Sequence, residues 1–366
     1  MFILYILIPL LVMIPVGIYL YFYLLRMAEF FHLDRKKKWV KRTAGAIAIV
    51  LMIISVNVFG IGSVAILHVV VISLIMEGIN RLVKEKKVWK NVYRSGLVPI
   101  LLTAIILTYG FFNIRNVVET DYSVYTEKDI RQEGYRVAMI SDLHYGTTMN
   151  EKKLQSYCDK ISQEKPDLVV LCGDIVDEDT TKEEMQSALK ILSSIKSTYG
   201  TYYVYGNHDL NNYASKPNYT KEQLKEELEQ NSIRILKDET VTISNDFAIV
   251  GRNDIGFAKE EPRKSNEDLM REVDQKDFIL LLDHQPCELK ENDQTGFDLQ
   301  LSGHTHNGQI WPVGILSKLF GINEMSYGYK QFSHMQVIVS SGMAGWGYPV
   351  RTESHSEYVI IDIKKK

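Results

Sequence analysis

Apolar and polar positions follow two different rhythms along the chain. From Phe2 to Leu25 no residue is charged, which is long enough for one membrane crossing, since a bilayer core needs about 20 apolar residues. From Thr43 to Met76 charge is absent again, and Gly60-Ile61-Gly62-Ser63 interrupts the run. That stretch is too long for one straight span and predicts two short spans joined by a tight turn. Leu97 to Asn113 forms a fourth apolar run. Beyond Arg136 the texture changes to short β-rich runs separated by polar, helix-prone stretches. The runs are Arg136–Ser141, Asp167–Cys172, Thr201–Tyr205, Phe247–Gly251, Phe278–Leu282, Leu299–Ser302, Gln336–Ser340 and Tyr358–Ile363. Helices are predicted over Glu151–Glu164, Thr181–Lys196 and Lys221–Gln230. Several runs are apolar throughout, as expected of strands covered on both faces. Asp121 to Glu133 is polar and predicts a linker. The expected organisation is an all-α transmembrane region of about four helices over 1–116, a linker over 117–135, and a layered α/β domain over 136–366.

Charge sharpens this division. The whole chain looks ordinary, with 46% hydrophobic residues, 24% charged and a net charge of −3. Residues 1–116, however, hold 14 Lys/Arg against 4 Asp/Glu, and the remainder holds 28 against 41. The basic residues of the first part form two clusters between apolar runs, Arg26 to Arg42 and Arg81 to Arg94. The positive-inside rule places both in the cytoplasm. A two-span hairpin between them returns the chain to the side it left, so the N-terminus and everything after Asn113 face outward. A cleaved signal peptide fits poorly, because no basic segment precedes the first run and the run is too long. His68 and Glu77 are the polar exceptions within the spans; helix packing or an interfacial position suits both. The acidic second part repels phosphate backbones, which argues against a nucleic-acid partner. Three scattered cysteines, Cys158, Cys172 and Cys287, make neither a disulfide framework nor a zinc site.

The chemistry sits where the predicted strands end. The first ends in Asp142-Leu143-His144, the second in Gly173-Asp174 and the third in Gly206-Asn207-His208-Asp209. Two later ones end in Asp283-His284 and Gly303-His304-Thr305-His306. Open α/β sheets place their sites at this carboxyl edge. Five of the nine histidines lie in these places. In an extended segment, Asp-x-His and His-x-His put two ligands on one side. Glycines before Asp174, Asn207 and His304 permit sharp turns and close approach to an ion. Imidazoles, carboxylates and one amide oxygen suit Mn, Fe, Zn or Co, not a calcium cage. Each motif alone is weak; a lone Gly-Asp is usually a turn. Five in this order are a specific signal.

This motif set resembles that of the calcineurin-like metallophosphoesterases, from Arg136 to the C-terminus. Asn307-Gly308-Gln309 and Ser341-Gly342-Met343-Ala344-Gly345-Trp346-Gly347 are similar to a bacterial membrane-associated branch of the family, which usually has Gly where Asn307 stands. The resemblance implies a four-layer αββα sandwich with two divalent metal ions, Mn, Fe or Zn. It implies that Asp142, His144, Asp174 and His306 hold one ion. Asp174, Asn207, His284 and His304 would hold the other, with Asp174 as the bridge. His208 would face the substrate phosphate, held by Asp209.

Such a centre hydrolyses a phosphoester, phosphodiester or pyrophosphate bond. His208 would stabilise charge as a cation or protonate the leaving alkoxide. Arg351 is a candidate phosphate contact or a surface arginine. Trp346 and Tyr348 line the pocket or pack the loop. With the catalytic domain outward, the expected substrate is lipid-linked or belongs to the envelope. A cytosol-facing nucleotide phosphodiesterase is the alternative, and would need the reverse topology. A non-catalytic membrane receptor on the same fold is a third reading, against which the complete ligand set argues.

Overall fold

The computed structural model describes residues 2–83, 86–259 and 261–366, with side chains described from Met13 onward. Lys84, part of the second basic cluster, lies outside the described residues. The chain divides into two compact units, residues 1–111 and 112–366.

The first unit is helical: α1 Phe2–Phe30, α2 Lys38–Ile54, α3 Ile61–Val83, α4 Lys87–Ser95 and α5 Leu97–Asn113, whose end enters the second unit. Two segments are long and apolar enough to cross a membrane, Met13–Phe30 of α1 and all of α3. The pair α4 and α5, bent by 62°, adds a third if it counts as one span. Among the described residues the expected count of four is not confirmed, since α2 and α5 are 17 residues each. At 1.5 Å per residue that is about 26 Å, short of a ~30 Å hydrocarbon core. The break between α2 and α3 falls at residues 55–60. The second basic cluster, expected as a loop, contains α4, which Gly96 ends at φ +66°. Small residues let α2 approach its neighbours: Ala48 packs with Leu20 and Ile66, and Ala44 with Leu25. His68 is fully buried, its Nδ1 2.7 Å from the Val64 carbonyl. Glu77 accepts from Tyr19 Oη at 3.0 Å and Arg26 Nη1 at 3.2 Å.

The second unit holds twelve strands among its described residues: β1 Val117–Thr126, β2 Tyr135–Ile140, β3 Leu168–Cys172, β4 Thr201–Val204, β5 Ile233–Ile235, β6 Glu239–Ser244, β7 Phe247–Gly251, β8 Phe278–Leu282, β9 Leu299–Ser302, β10 Gly328–Gln331, β11 Gln336–Val339 and β12 Ser356–Lys365. Its helices are α6 Glu151–Gln163, α7 Lys182–Leu192, α8 Lys221–Gln230, α9 Asn266–Met270, α10 Leu289–Thr295 and α11 Val313–Phe320. The strands form two six-stranded mixed sheets, in the orders β1-β12-β2-β3-β4-β5 and β10-β11-β9-β8-β7-β6.

Period-two burial builds the layers. Val137 and Met139 of β2, with Val170 of β3, face a core shared with Ile249, Leu280 and Leu301 of the other sheet. Ala138 and Ile140, one residue over, face Leu154 and Ile161 of α6 and Leu189 of α7. On the far side Ile279 and Leu281 pack against Leu269 of α9 and Leu289 of α10. The order is therefore α, β, β, α. Asn150 caps α6, and capping boxes start α7 at Thr181 and α8 at Thr220.

The linker expected over 117–135 is corrected by β1. All ten of its residues pair in parallel with β12, from Val117↔Ser356 to Thr126↔Lys365. Only Val117, Val124 and Thr126 of the strand are buried, so its sequence carries the polarity of an edge strand.

Candidate metal centre

Every expected ligand lies just past a strand end. Asp142 and His144 follow β2, Asp174 follows β3, Asn207 follows β4, His284 follows β8, and His304 and His306 follow β9. The backbone there is not extended. Asp142, His144, Asp174, His304 and His306 all have positive φ, between 38° and 69°. Period-two alternation therefore does not explain how Asp-x-His works; left-handed residues turn each side chain inward. The loops keep sheet-like pairing meanwhile, with Asp142 N donating to Gly173 O at 3.0 Å and His144 N to Asp174 O at 3.1 Å. A Cβ on Gly206 would collide with the Asp174 carboxylate, and one on Gly303 with that of Asp142.

Two ligand groups result. Asp142, His144 and His306 bring one donor atom each to within 4.8 Å of one another, and so do Asp174, His284 and His304. Asp174 lies near both, its Oδ2 3.0 Å from His284 Nε2 and 3.9 Å from His144 Nε2. Asn207 is buried, and its Oδ1 has no partner.

The donor chemistry fits cations. His284 Nδ1 lies 2.8 Å from the Cys172 carbonyl, which can only accept, so the ring proton is on Nδ1. Its Nε2 then faces an Asp174 oxygen at 3.0 Å, a contact that calls for a second proton or a metal ion between the two atoms. His144 repeats the pattern: Nδ1 is 3.0 Å from Asp177 Oδ2, and Nε2 is buried without a partner. Imidazoles oriented in this way are the usual metal ligands. Buried lone pairs that face one another want a proton or a metal ion between them. Burial pushes His304 down to about 4 and His306 well below the usual imidazole value, favouring the neutral form that ligation needs. Burial also opposes charge on His284, but the Asp174 carboxylate outweighs it and raises that ring's pKa.

A calcineurin-like phosphoesterase profile matches residues 135–308. An uncharacterized metallophosphoesterase of Campylobacter jejuni is 30% identical over 279 residues, covering 74% of this chain and 70% of that protein. The chain belongs to the calcineurin-like phosphoesterase family. A metallophosphoesterase of Aquifex aeolicus is 31% identical over 67% of this chain and 91% of its own length. A transmembrane protein with metallophosphoesterase domain from Danio rerio is 28% identical, the match covering 77% of this chain and 65% of that protein.

Membership makes the chain a phosphoester hydrolase, and the remaining site residues take their places around the ligands of this phosphoesterase. His208 is not held by Asp209. Its Nδ1 is 2.9 Å from Glu178 Oε2. Asp209 instead accepts four backbone N–H groups, from Asp174, Ile175, Val176 and Gly206, at 2.6–3.2 Å. Burial raises its carboxyl to about 6. Trp346 places its ring 4.8 Å from that of His208, while Tyr348 is half-buried in the same loop. Arg351 is corrected. It is fully buried, with Nη1 donating to the carbonyls of His306, Ser341 and His355 and Nη2 to that of Ala344. The guanidinium braces the loops behind the ligands and is shut off from the surface, although its Nε has no partner. Three acidic residues escaped the sequence reading: Asp177 and Glu178, four residues or fewer past Asp174, and Asp254 after β7. Asp254 is fully buried, with one oxygen on Gly256 N and Gln285 Nε2 and the other unpartnered. A carboxylate after an apolar run, as in Val250-Gly251-Arg252-Asn253-Asp254, was the available signal.

Proposed function

We propose that this chain is a membrane-anchored phosphoesterase with two divalent metal ions, Mn, Fe or Zn. Asp142, His144, Asp174 and His306 hold one, and Asp174, Asn207, His284 and His304 hold the other. The observation that carries the reading is the pair of ligand groups, with Asp174 of one group reaching to 3.9 Å from His144 of the other and buried lone pairs lacking protein partners. Ions bound there supply the charge that activates water and neutralises the phosphate. The chain's own groups do the remaining work. His208 delivers a proton to the departing oxygen, Glu178 fixes its ring through Nδ1 so that Nε2 carries the exchange, and Trp346 limits water beside that ring. The decisive experiment strips the full-length protein with chelator and reloads it with Mn, Fe or Zn. It then measures hydrolysis of an aryl phosphomonoester, an aryl phosphodiester and a polyprenyl pyrophosphate. No turnover of any of them, with metal bound, would defeat the reading.

The same proposal places the catalytic unit outside the cytoplasm and makes its substrate lipid-linked or part of the envelope. Support comes from the two basic clusters flanking apolar helices. A tether to the bilayer also raises the effective concentration of membrane-borne phosphoesters.

A further inference from the structure

α11 is built inside out for a helix of a water-soluble unit. A surface helix ordinarily buries its large apolar side chains and presents polar ones. Here Gly314 and Ser317 face inward, and Gly314 N donates to Glu353 Oε2 at 2.8 Å. The large side chains face out: Leu319 is 73% exposed, Phe320 72% and Ile322 70%, and Val313, Ile315 and Leu316 are exposed as well. From Val117 onward, the other exposed large apolar side chains among the described residues are three isolated tyrosines, Tyr125, Tyr213 and Tyr329. Contiguous exposed apolar surface of this kind marks an interaction site.

Two observations say what covers it. Between Trp311 and Asn323 the chain has no acidic residue and a single charge, Lys318. Apart from Lys318, the outward side chains carry no hydrogen-bonding atoms, whereas protein interfaces favour Tyr, Trp and Arg with a polar rim. Aliphatic and Phe side chains with one cation match the boundary of an anionic lipid surface. The same chain also carries helices apolar enough to cross a membrane, so this unit works within reach of a bilayer. The patch adjoins the metal centre directly. A cavity of about 260 Å³ is lined by His304 and Thr305 on one side and by Val313, Ser317 and Ile322 on the other.

We propose that α11 and Ile322 form a bilayer-docking surface that seats the metal centre at the lipid boundary, so that the phosphoester attacked is one carried by a membrane amphiphile. The substrate half of this statement rests on the phosphoesterase reading; the docking half does not. To test it, Leu319→Cys is labelled with an environment-sensitive fluorophore in the full-length protein, with Cys287→Ser removing the one cysteine that is not buried. The protein is reconstituted in vesicles of equal parts phosphatidylcholine and phosphatidylglycerol with brominated acyl chains. Quenching at Leu319 should exceed by several-fold that at Lys225→Cys on exposed α8, and adding Ile315→Glu and Phe320→Glu, neither of which lines the cavity beside His304, should abolish the excess. Turnover of a soluble aryl phosphodiester by that variant checks that the unit is folded. Quenching no greater than at Lys225 overturns the proposal, and so does efficient disulfide formation between the unlabelled Leu319→Cys sites of two copies when an oxidant such as copper phenanthroline is added. Quenching with no phosphoester hydrolysis would leave the docking surface standing and remove the proposed reaction.

Discussion

At the scale of single residues, the site concentrates backbone strain where ligands are needed. Five ligand residues with positive φ cost about 1–3 kcal/mol each outside glycine. Specific bonds hold them, such as His304 N donating to both Asp142 oxygens at 2.9 and 3.1 Å. Asp174 belongs to one ligand group and approaches His144 of the other at 3.9 Å, so Asp174→Ala should remove both ions from the purified protein; elemental analysis finding near-normal metal would reject the bridge. Removing a positioned general acid costs about 10²–10⁴ in rate, and His208→Ala should lower kcat by that factor while metal content stays normal. Glu178→Gln keeps a partner for Nδ1 but not its charge. It should lower kcat about tenfold with KM and metal content unchanged, a split that mere structural damage does not produce.

At the scale of elements, two buried carboxylates act as splices. Asp209 ties the loop after β3 to the loop after β4 through four amide N–H groups. Each unsatisfied buried donor costs about 1–3 kcal/mol, so Asp209→Ala should destabilise the catalytic unit by at least about 3 kcal/mol, read as a lower melting temperature even with metal in excess. Glu357 of β12 accepts from Thr120 of β1, Tyr327, Ser340 Oγ and Ser341 N. Burial opposes its charge, but these bonds and His355 outweigh it and hold the carboxyl below its ordinary 4.5. A folded value below the unfolded one means the stabilisation is complete above about pH 4.5 and disappears as pH falls through the folded value. Wild type should therefore lose melting temperature between about pH 5 and 3, and Glu357→Gln should lose less over that interval. Equal losses would show that Glu357 does not carry this dependence. The strands missing from the sequence reading, β1, β5, β6 and β10, are the four sheet edges. An edge strand needs few apolar residues because part of it meets solvent, so its pattern fades into that of loops.

At the scale of the whole molecule, membrane topology is open to direct measurement. With both basic clusters inside, a cysteine replacing exposed Glu127 should react with an impermeant maleimide in intact cells, and one replacing Lys37 should react only after lysis. The reverse pattern would put the catalytic unit in the cytosol and favour the nucleotide reading. By itself, the sequence determined what depends on local pattern: the apolar helices, the strands buried on both faces, and the histidines and carboxylates at their ends. Those signals are readable because burial on both faces demands unbroken apolar runs, and because metal ligands come from few residue types. What depends on contacts distant in sequence was settled only by the tertiary structure. Glu178 and not Asp209 reaches His208, Arg351 is spent on four carbonyls from two loops, and β1 joins a strand more than 200 residues away. The outward face of α11 is of the same kind. Its apolar run reads like any buried helix until packing shows that Gly314 and Ser317 are the residues turned inward, because periodicity records which positions are apolar and not which side the rest of the chain covers.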